Sequence, residues 1–382
     1  MASRGLAGDE GAGKKSNGTE SVSRNVFLLG AGASAKAGVP LLKDFLRTAN
    51  AIRTDGTLSE TDRALFDLVF RARDALTRVN SKARLDFDNF EEIYSAFDMA
   101  SLIGRLGELE KASVLDLPTA MRRVITITIE KSMKLPVVGD VQSRAATPPV
   151  PYDAFLKAIA PLIRYRQVAL LTFNYDLALD YALYFNRVAF NYGLSDGSSK
   201  SGDVDLLKLH GSLNWGRCSG QECKKIMVWD LADYFRQFRW NDLIDFETVP
   251  LQLATKLASR THCHPETLET DPVLIPPTWN KGGFHRELSG VWSKAATHLA
   301  EAENIYVIGY SFPLSDQFFK YFFAVGSVGQ GWIEKIRVVD PDPKGEVEER
   351  FKLLFGPLAS SKFALKKAKF EDIADNILNE LE

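Results

Sequence analysis

Cysteine is scarce. Three in 382 residues is an odd and small number, which does not make a secreted disulfide framework. Charge of one sign is lacking too. The 47 Lys and Arg nearly balance the 49 Asp and Glu, and the net charge of -2 argues against a globally basic nucleic-acid binder, though not against a local basic groove. No apolar run approaches the roughly 20 residues of a membrane-spanning helix. The N-terminus mixes Arg4, Asp9, Glu10, Lys14 and Lys15 with glycine and lacks the apolar stretch of a signal peptide. A reducing cytoplasm is the simplest compartment. Neither a membrane nor direct nucleic-acid binding is indicated.

What is present is an ordinary globular composition, 45% hydrophobic and 25% charged, able to bury a sizeable core without a disulfide or metal. The length implies one large core with an insertion, or two domains. Residues 1–23, rich in Gly, Ser and charge, are expected to form a disordered leader. Gly8 to Lys14 spells most of a phosphate-binding loop, but Lys15 replaces the required Ser or Thr and no strand precedes it.

Order is expected from Asn25. Val26 to Leu29 reads as a buried parallel strand, and a helix is expected from Leu41 to Ala49. Apolar residues at three- and four-residue spacing from Thr57 to Met133 predict an all-helical insertion, closed by the prolines between Thr147 and Pro151. Strand-like runs follow at Val168–Thr172, Asp205–Leu209, Val273–Ile275, Ile305–Ile308 and Ile336–Val339. Strands alternating with helices predict an α/β fold built on a doubly wound parallel sheet, with the ligand crevice formed by loops after the strand C-termini.

Three of those loops carry chemistry-bearing residues. Gly30 and Gly32 fill the first two places of a dinucleotide-binding turn, where glycine lets backbone approach a pyrophosphate, but Ala35 stands at the third. No acidic residue ends a second strand at the expected distance, so a tight turn without ligand stays open. Asn174 and Asp176 follow the strand ending at Leu171, where the alternative role is capping the helix expected over Leu177–Phe185. His210 follows the strand ending at Leu209; histidine is the side chain most easily poised for proton transfer near neutral pH, although a lone one is more often structural.

Taken in order, these segments resemble the sirtuin fold, and more closely the prokaryotic sirtuin-like NADases of antiphage defence. The resemblance rests on Gly30–Ser34 with Gly38-Val39-Pro40, Thr172–Asp176, Leu209–Trp215, Ile275–Thr278, and Gly309–Pro313 with Asp316. Asn89–Ser95 looks like a helical signature of the defence branch. The resemblance implies a Rossmann-like core over 24–56 and 147–382, a helical insertion over 57–146, and a small insert over 216–270. It implies an NAD⁺ glycohydrolase that releases nicotinamide and ADP-ribose, with NAD⁺ as substrate. Gly30, Ala31, Gly32 and Ser34 would line the pyrophosphate and nicotinamide-ribose side. Asn174 and Asp176 would hold the nicotinamide end and position the nucleophile, and His210 would act as general base. Gly309, Ser311 and Asp316 would sit near the ribose and phosphates, and Asp340 would accept from the adenosine ribose. It further implies a defence effector controlled by assembly, as a homo-oligomer with a HerA-like ATPase or another operon-encoded activator, with the helical insertion as interface; a helical lid that completes the core is the alternative.

Two features depart from protein deacetylases of that superfamily. Their paired Cys-x-x-Cys zinc ligands are reduced here to Cys218, Cys223 and Cys263, beside His262 and His264. No metal is the expectation, with zinc on Cys218, Cys223, Cys263 and His264 (or His262) as the alternative. Where deacetylases pair with an acyl-lysine peptide, this chain reads Ile275-Pro276-Pro277-Thr278-Trp279-Asn280-Lys281, and two prolines remove backbone donors. That favours water as acceptor. A deacylase or ADP-ribosyltransferase remains the alternative enzyme, and a non-catalytic NAD⁺ or ADP-ribose sensor the alternative outside enzymes.

Overall fold

The structure, a computed structural model, describes residues 24–78, 85–139, 144–194, 204–237, 248–263, 265–276, 288–313, 316–328 and 332–382. The expected leader, His264 and Pro277–Lys281 lie outside the described residues.

In chain order the described strands are β1 (Asn25–Leu29), β2 (Lys134–Val138), β3 (Ala145–Ala146), β4 (Val168–Thr172), β5 (Phe190–Asn191), β6 (Val204–Lys208), β7 (Trp215–Arg217), β8 (Ile226–Val228), β9 (Thr248–Pro250), β10 (Asn304–Ile308), β11 (Lys335–Val339) and β12 (Phe363–Lys366). Seven of them form one sheet in the order β12-β11-β10-β1-β4-β6-β5, and every pair in it is parallel. This is the Rossmann-like α/β architecture. From β1 the chain goes to β4 beside it, then to β5 at the edge, fills the gap between them with β6, and returns to β10 on the other side of β1. The sheet therefore reverses direction between β1 and β10, where open α/β sheets bind their ligands.

The central strands are apolar throughout because helices cover both faces. All five residues of β1 and of β4 are buried, and Phe27 meets Phe155 of the helix Val150–Arg164 edge-on at 5.2 Å. Val273–Ile275, expected as a strand, makes only an isolated bridge from Leu274 to Gly211. Pro272 and Pro276 bracket it and supply no amide donors to extend a ladder.

Four helices lie between β1 and β2, α1 (Leu42–Thr54), α2 (Glu60–Arg78), α3 (Phe90–Ile103) and α4 (Lys111–Ser132), while strands β2 and β3 fall inside 57–146, the range expected as a helical insertion. Asn89 caps α3, its Oδ1 accepting from the amides of Glu91 at 3.0 Å and Glu92 at 3.4 Å. Phe90, Ile93, Tyr94 and Phe97 form the buried stripe of α3. These helices share one continuous apolar core with the sheet. Among the described residues no helix is long and apolar enough to cross a membrane.

Candidate active site

The parallel register brings the strand ends level. Leu29 pairs with Thr172 and with Ile308, Thr172 with Lys208, and Ile308 with Val339. The turns that follow therefore leave the sheet together. They enclose a cleft of about 130 Å³, partly open to solvent.

Asn174, Asp176 and His210 line that cleft from two turns, and Ala31, Gly309, Ser311 and Asp316 line it from two others. The opposite wall is apolar and comes from the helical segment: Leu42 and Phe45 of α1, Phe90 of α3, and Ile125 and Ile129 of α4, with Glu91 the charged exception.

Gly30, Gly32 and Ser34 do not line the cleft. The glycines meet a different demand. The amide of Gly30 donates to the carbonyl of Ile308 at 2.9 Å, and that of Gly32 to the carbonyl of Gly309 at 2.8 Å. A Cβ on Gly30 would stand 2.6 Å from the Gly309 oxygen, and one on Gly32 2.8 Å from the Gly309 Cα. Gly309 itself has φ +62°, a conformation that favours glycine. Two turns in backbone contact require glycine at these positions.

Ser34 is fully buried behind Asn174. Its Oγ lies 2.7 Å from the Tyr152 hydroxyl and accepts from Asn174 Nδ2 at 3.0 Å. The same Nδ2 donates to the Gly30 carbonyl at 2.8 Å. Both amide hydrogens are thus directed into the protein, and the group Asn174 offers the cleft is an acceptor, Oδ1. Asn174 is no helix cap; its own amide donates to Thr172 Oγ1 at 3.0 Å.

Asp176 Oδ1 accepts from the amide of Ala178 at 3.0 Å, at the start of the helix Ala178–Phe185, and the residue borders the cleft. Burial pushes its carboxyl above the usual value, while the Lys208 ammonium pulls it back down. His210 packs its ring against Phe173 at 4.8 Å and near Tyr175 at 6.2 Å and Trp292 at 6.4 Å. Its turn needs Gly211, which has φ +88° and approaches the backbone of Val273 and Leu274. The His210 carbonyl accepts from the Ile275 amide at 2.8 Å, and Tyr175 donates its hydroxyl to the Ile275 carbonyl at 2.6 Å.

On the far side, Tyr310 stacks on Phe173 at 4.6 Å and donates to Asp316 Oδ2 at 2.7 Å. Burial, with Asp316 beside it, holds the Tyr310 phenol protonated well above its ordinary range. Arg350 braces this loop by donating to the Ser311 carbonyl at 2.9 Å. Asp340 stands outside the lining; its Oδ1 accepts from the Asp342 amide at 2.8 Å, in the turn that leaves β11.

Sequence reading missed Tyr152, Asp180 and Lys208. Lysine at the end of a strand buried on both faces was a usable signal, because a buried ammonium must find a partner. Tyr152 carried none.

Away from the cleft, Cys218, Cys223, His262 and Cys263 converge, with their ligand atoms all within 4.8 Å of one another. His262 Nδ1 lies 3.1 Å from Cys263 Sγ and 3.6 Å from Cys223 Sγ. A tetrahedral zinc with bonds of about 2.0–2.3 Å sets its ligands about 3.5–3.8 Å apart. Three sulfurs and one nitrogen are a ligand set that zinc takes, at separations that reach up to about 1 Å beyond those of a bound ion.

No protein-family model matches the chain, nor does any curated protein match its sequence. Among solved structures it is similar to a Sir2 homologue–NAD complex, with TM-score 0.40 and 16% identity over 94% of this chain and 90% of that one. It is similar also to a mutant Sir2 homologue with ADP ribose (TM-score 0.37, 16% identity, 94% and 92% covered). A third is Sir2Tm bound to a propionylated peptide (TM-score 0.34, 14% identity, 94% of each chain covered). Overlap of this quality decides neither family nor ligand.

Proposed function

We propose that the cleft binds NAD⁺ and hydrolyses its nicotinamide–ribose bond, releasing nicotinamide and ADP-ribose. One observation carries this reading: an amide fixed with its oxygen outward, a buried carboxylate and an imidazole converge from separate turns on one cleft at the reversal point of a parallel sheet. The glycosidic nitrogen of NAD⁺ is cationic, so departure of nicotinamide needs little acid help. The protein must orient the ribose, stabilise positive charge at its anomeric carbon and present a water. Asn174 Oδ1 accepts a hydrogen bond from that water, Asp176 supplies negative charge nearby, and His210 accepts a proton from the water or a ribose hydroxyl. The apolar wall from α1, α3 and α4 excludes bulk solvent.

The physiological setting we propose rests on the sequence resemblance: a defence effector that depletes NAD⁺ only in a homo-oligomeric assembly, with a HerA-like ATPase or another operon-encoded activator. The Cys218–Cys223–His262–Cys263 cluster is proposed to hold a structural zinc remote from the chemistry.

The test is NAD⁺ loss on expression, with its activator where one is encoded, compared between the natural chain and Asn174→Ala or His210→Ala. Both substitutions should stop NAD⁺ loss without lowering the melting temperature by more than a few degrees. Turnover that strictly requires an acylated peptide would replace hydrolysis by deacylation. Cellular function that survives both substitutions would replace it by ligand sensing.

A further inference from the structure

Lys208 is fully buried, and so is its partner Asp180. Lys208 Nζ lies 2.9 Å from Asp180 Oδ2 and donates to the backbone carbonyl of Asp176 at 2.5 Å. Asp180 Oδ1 in turn accepts from the Tyr192 hydroxyl at 2.6 Å, which accepts from Asn214 Nδ2 at 3.1 Å. Asn214 Oδ1 accepts from Ser212 at 2.7 Å. This polar chain runs beneath the cleft, from the turn holding Asp176 to the turn holding His210.

Neutralising Asp180 does not by itself require the second bond. The carbonyl of Asp176 belongs to the turn that presents Asn174, and Lys208 stands two residues before His210. Two backbone bonds also join these turns, from the Leu209 amide to the Thr172 carbonyl at 2.8 Å and from the Leu213 amide to the Tyr175 carbonyl at 3.0 Å. Lys208 adds a charged donor between them, in a place water does not reach, where such a bond is strong and stiff.

We propose that Lys208 is a positioning residue, which locks the Asn174–Asp176 turn at a fixed height against the His210 turn and so sets the distance between the groups that meet the substrate. For its catalytic consequence this rests on the hydrolase reading above; its mechanical content does not.

The experiment removes both charges at once, Lys208→Met with Asp180→Leu, because either change alone strands a buried ion. The reserve pair is Lys208→Gln with Asp180→Asn, uncharged and hydrogen-bonding, in which Gln is one bond too short to reach both partners. Tyr192→Phe is the control, since it trims the network and keeps the bond to Asp176. Three quantities are read: exchange of the Leu213 amide, affinity for ADP-ribose, and kcat and KM for NAD⁺. Either pair should speed Leu213 exchange about tenfold and lower kcat about 100-fold, with ADP-ribose affinity nearly kept and Tyr192→Phe near the natural chain. Natural Leu213 protection and kcat in a folded pair would reduce Lys208 to a counter-ion and overturn the proposal. If the natural chain leaves NAD⁺ intact in every assembly, the hydrolase reading fails, and the exchange measurement still decides whether Lys208 locks the turns.

Discussion

Removing one oxygen atom behind the cleft separates orientation of Asn174 from its mere presence. Ser34→Ala deletes the Oγ shared by Tyr152 at 2.7 Å and Asn174 at 3.0 Å. Tyr152, 1% exposed, then loses its nearest hydrogen-bond partner, and no water reaches it in exchange. A buried polar group stripped in this way costs about 1–3 kcal/mol. Asn174 borders the cleft and keeps its bond to the Gly30 carbonyl, so its share is smaller. The sum is about 2.5 kcal/mol. For a chain of 382 residues the unfolding entropy is about 0.8 kcal/mol/K, and the melting temperature should drop by about 3 °C. The larger effect is on rate. With one of its two inward bonds gone, the Asn174 amide is held by the Gly30 carbonyl alone and its oxygen is less firmly fixed, a misplacement worth on the order of 100-fold in kcat. Tyr152→Phe removes one partner of Ser34 but leaves the bond to Asn174, and should cost about 1 kcal/mol with kcat nearly unchanged. Calorimetry and steady-state NAD⁺ hydrolysis measure the two effects separately. A Ser34→Ala protein that melts lower yet keeps its kcat would refute the reasoning, and a rise confined to KM would mean that Ser34 touches the substrate itself.

Two further outcomes follow from residues outside the cleft. Glu130 on α4 is 2% exposed and caps the turn at Ala254, accepting from that amide at 2.6 Å. Burial raises its carboxyl to about 7 from 4.5, so the folded chain holds this proton through a range where the unfolded chain has lost it. Its contribution is fully present below about pH 4.5 and is lost as pH rises through 7, a change of about 3 kcal/mol. Glu130→Gln should remove that slope from the melting temperature between pH 5 and 7.5, as tracked by calorimetry across buffers. As for the metal, elemental analysis should find about one zinc per chain. A chelator, or Cys218→Ser, should lower the melting temperature and leave ADP-ribose affinity intact; a metal-free protein of unchanged stability would remove zinc from the account.

The central strands were legible because a buried parallel strand writes itself as an uninterrupted apolar run. Val168–Thr172 was placed to the residue, and the runs at 26–29, 305–308 and 336–339 begin one residue inside their strands. Strand β12 escaped. It lies at the sheet edge with partly exposed side chains, and its Phe-Ala-Leu-Lys carries no such run. The residues bordering the cleft were legible where they follow strand ends, as Asn174, Asp176 and His210 do. Their supports were not, because Tyr152 lies 118 positions from Ser34 and only folding joins them. The close backbone contact at Gly30 and Gly32 was not legible, because a glycine needed for contact with another turn looks the same in sequence as one needed for a phosphate.

The shared level of the strand ends makes this sheet tolerant in one respect and brittle in another. Loops can change length beyond the residues that bond turn to turn, past Asp176, Leu213 or Gly309, and leave neighbouring turns where they are. One residue inserted within β4 is a different event. It would lift the Asn174 turn by about 3.3 Å and send alternate side chains to the opposite face, while Gly30 and His210 stayed behind. Tailoring this scaffold to a new ligand therefore has to begin past the last rung of the ladder.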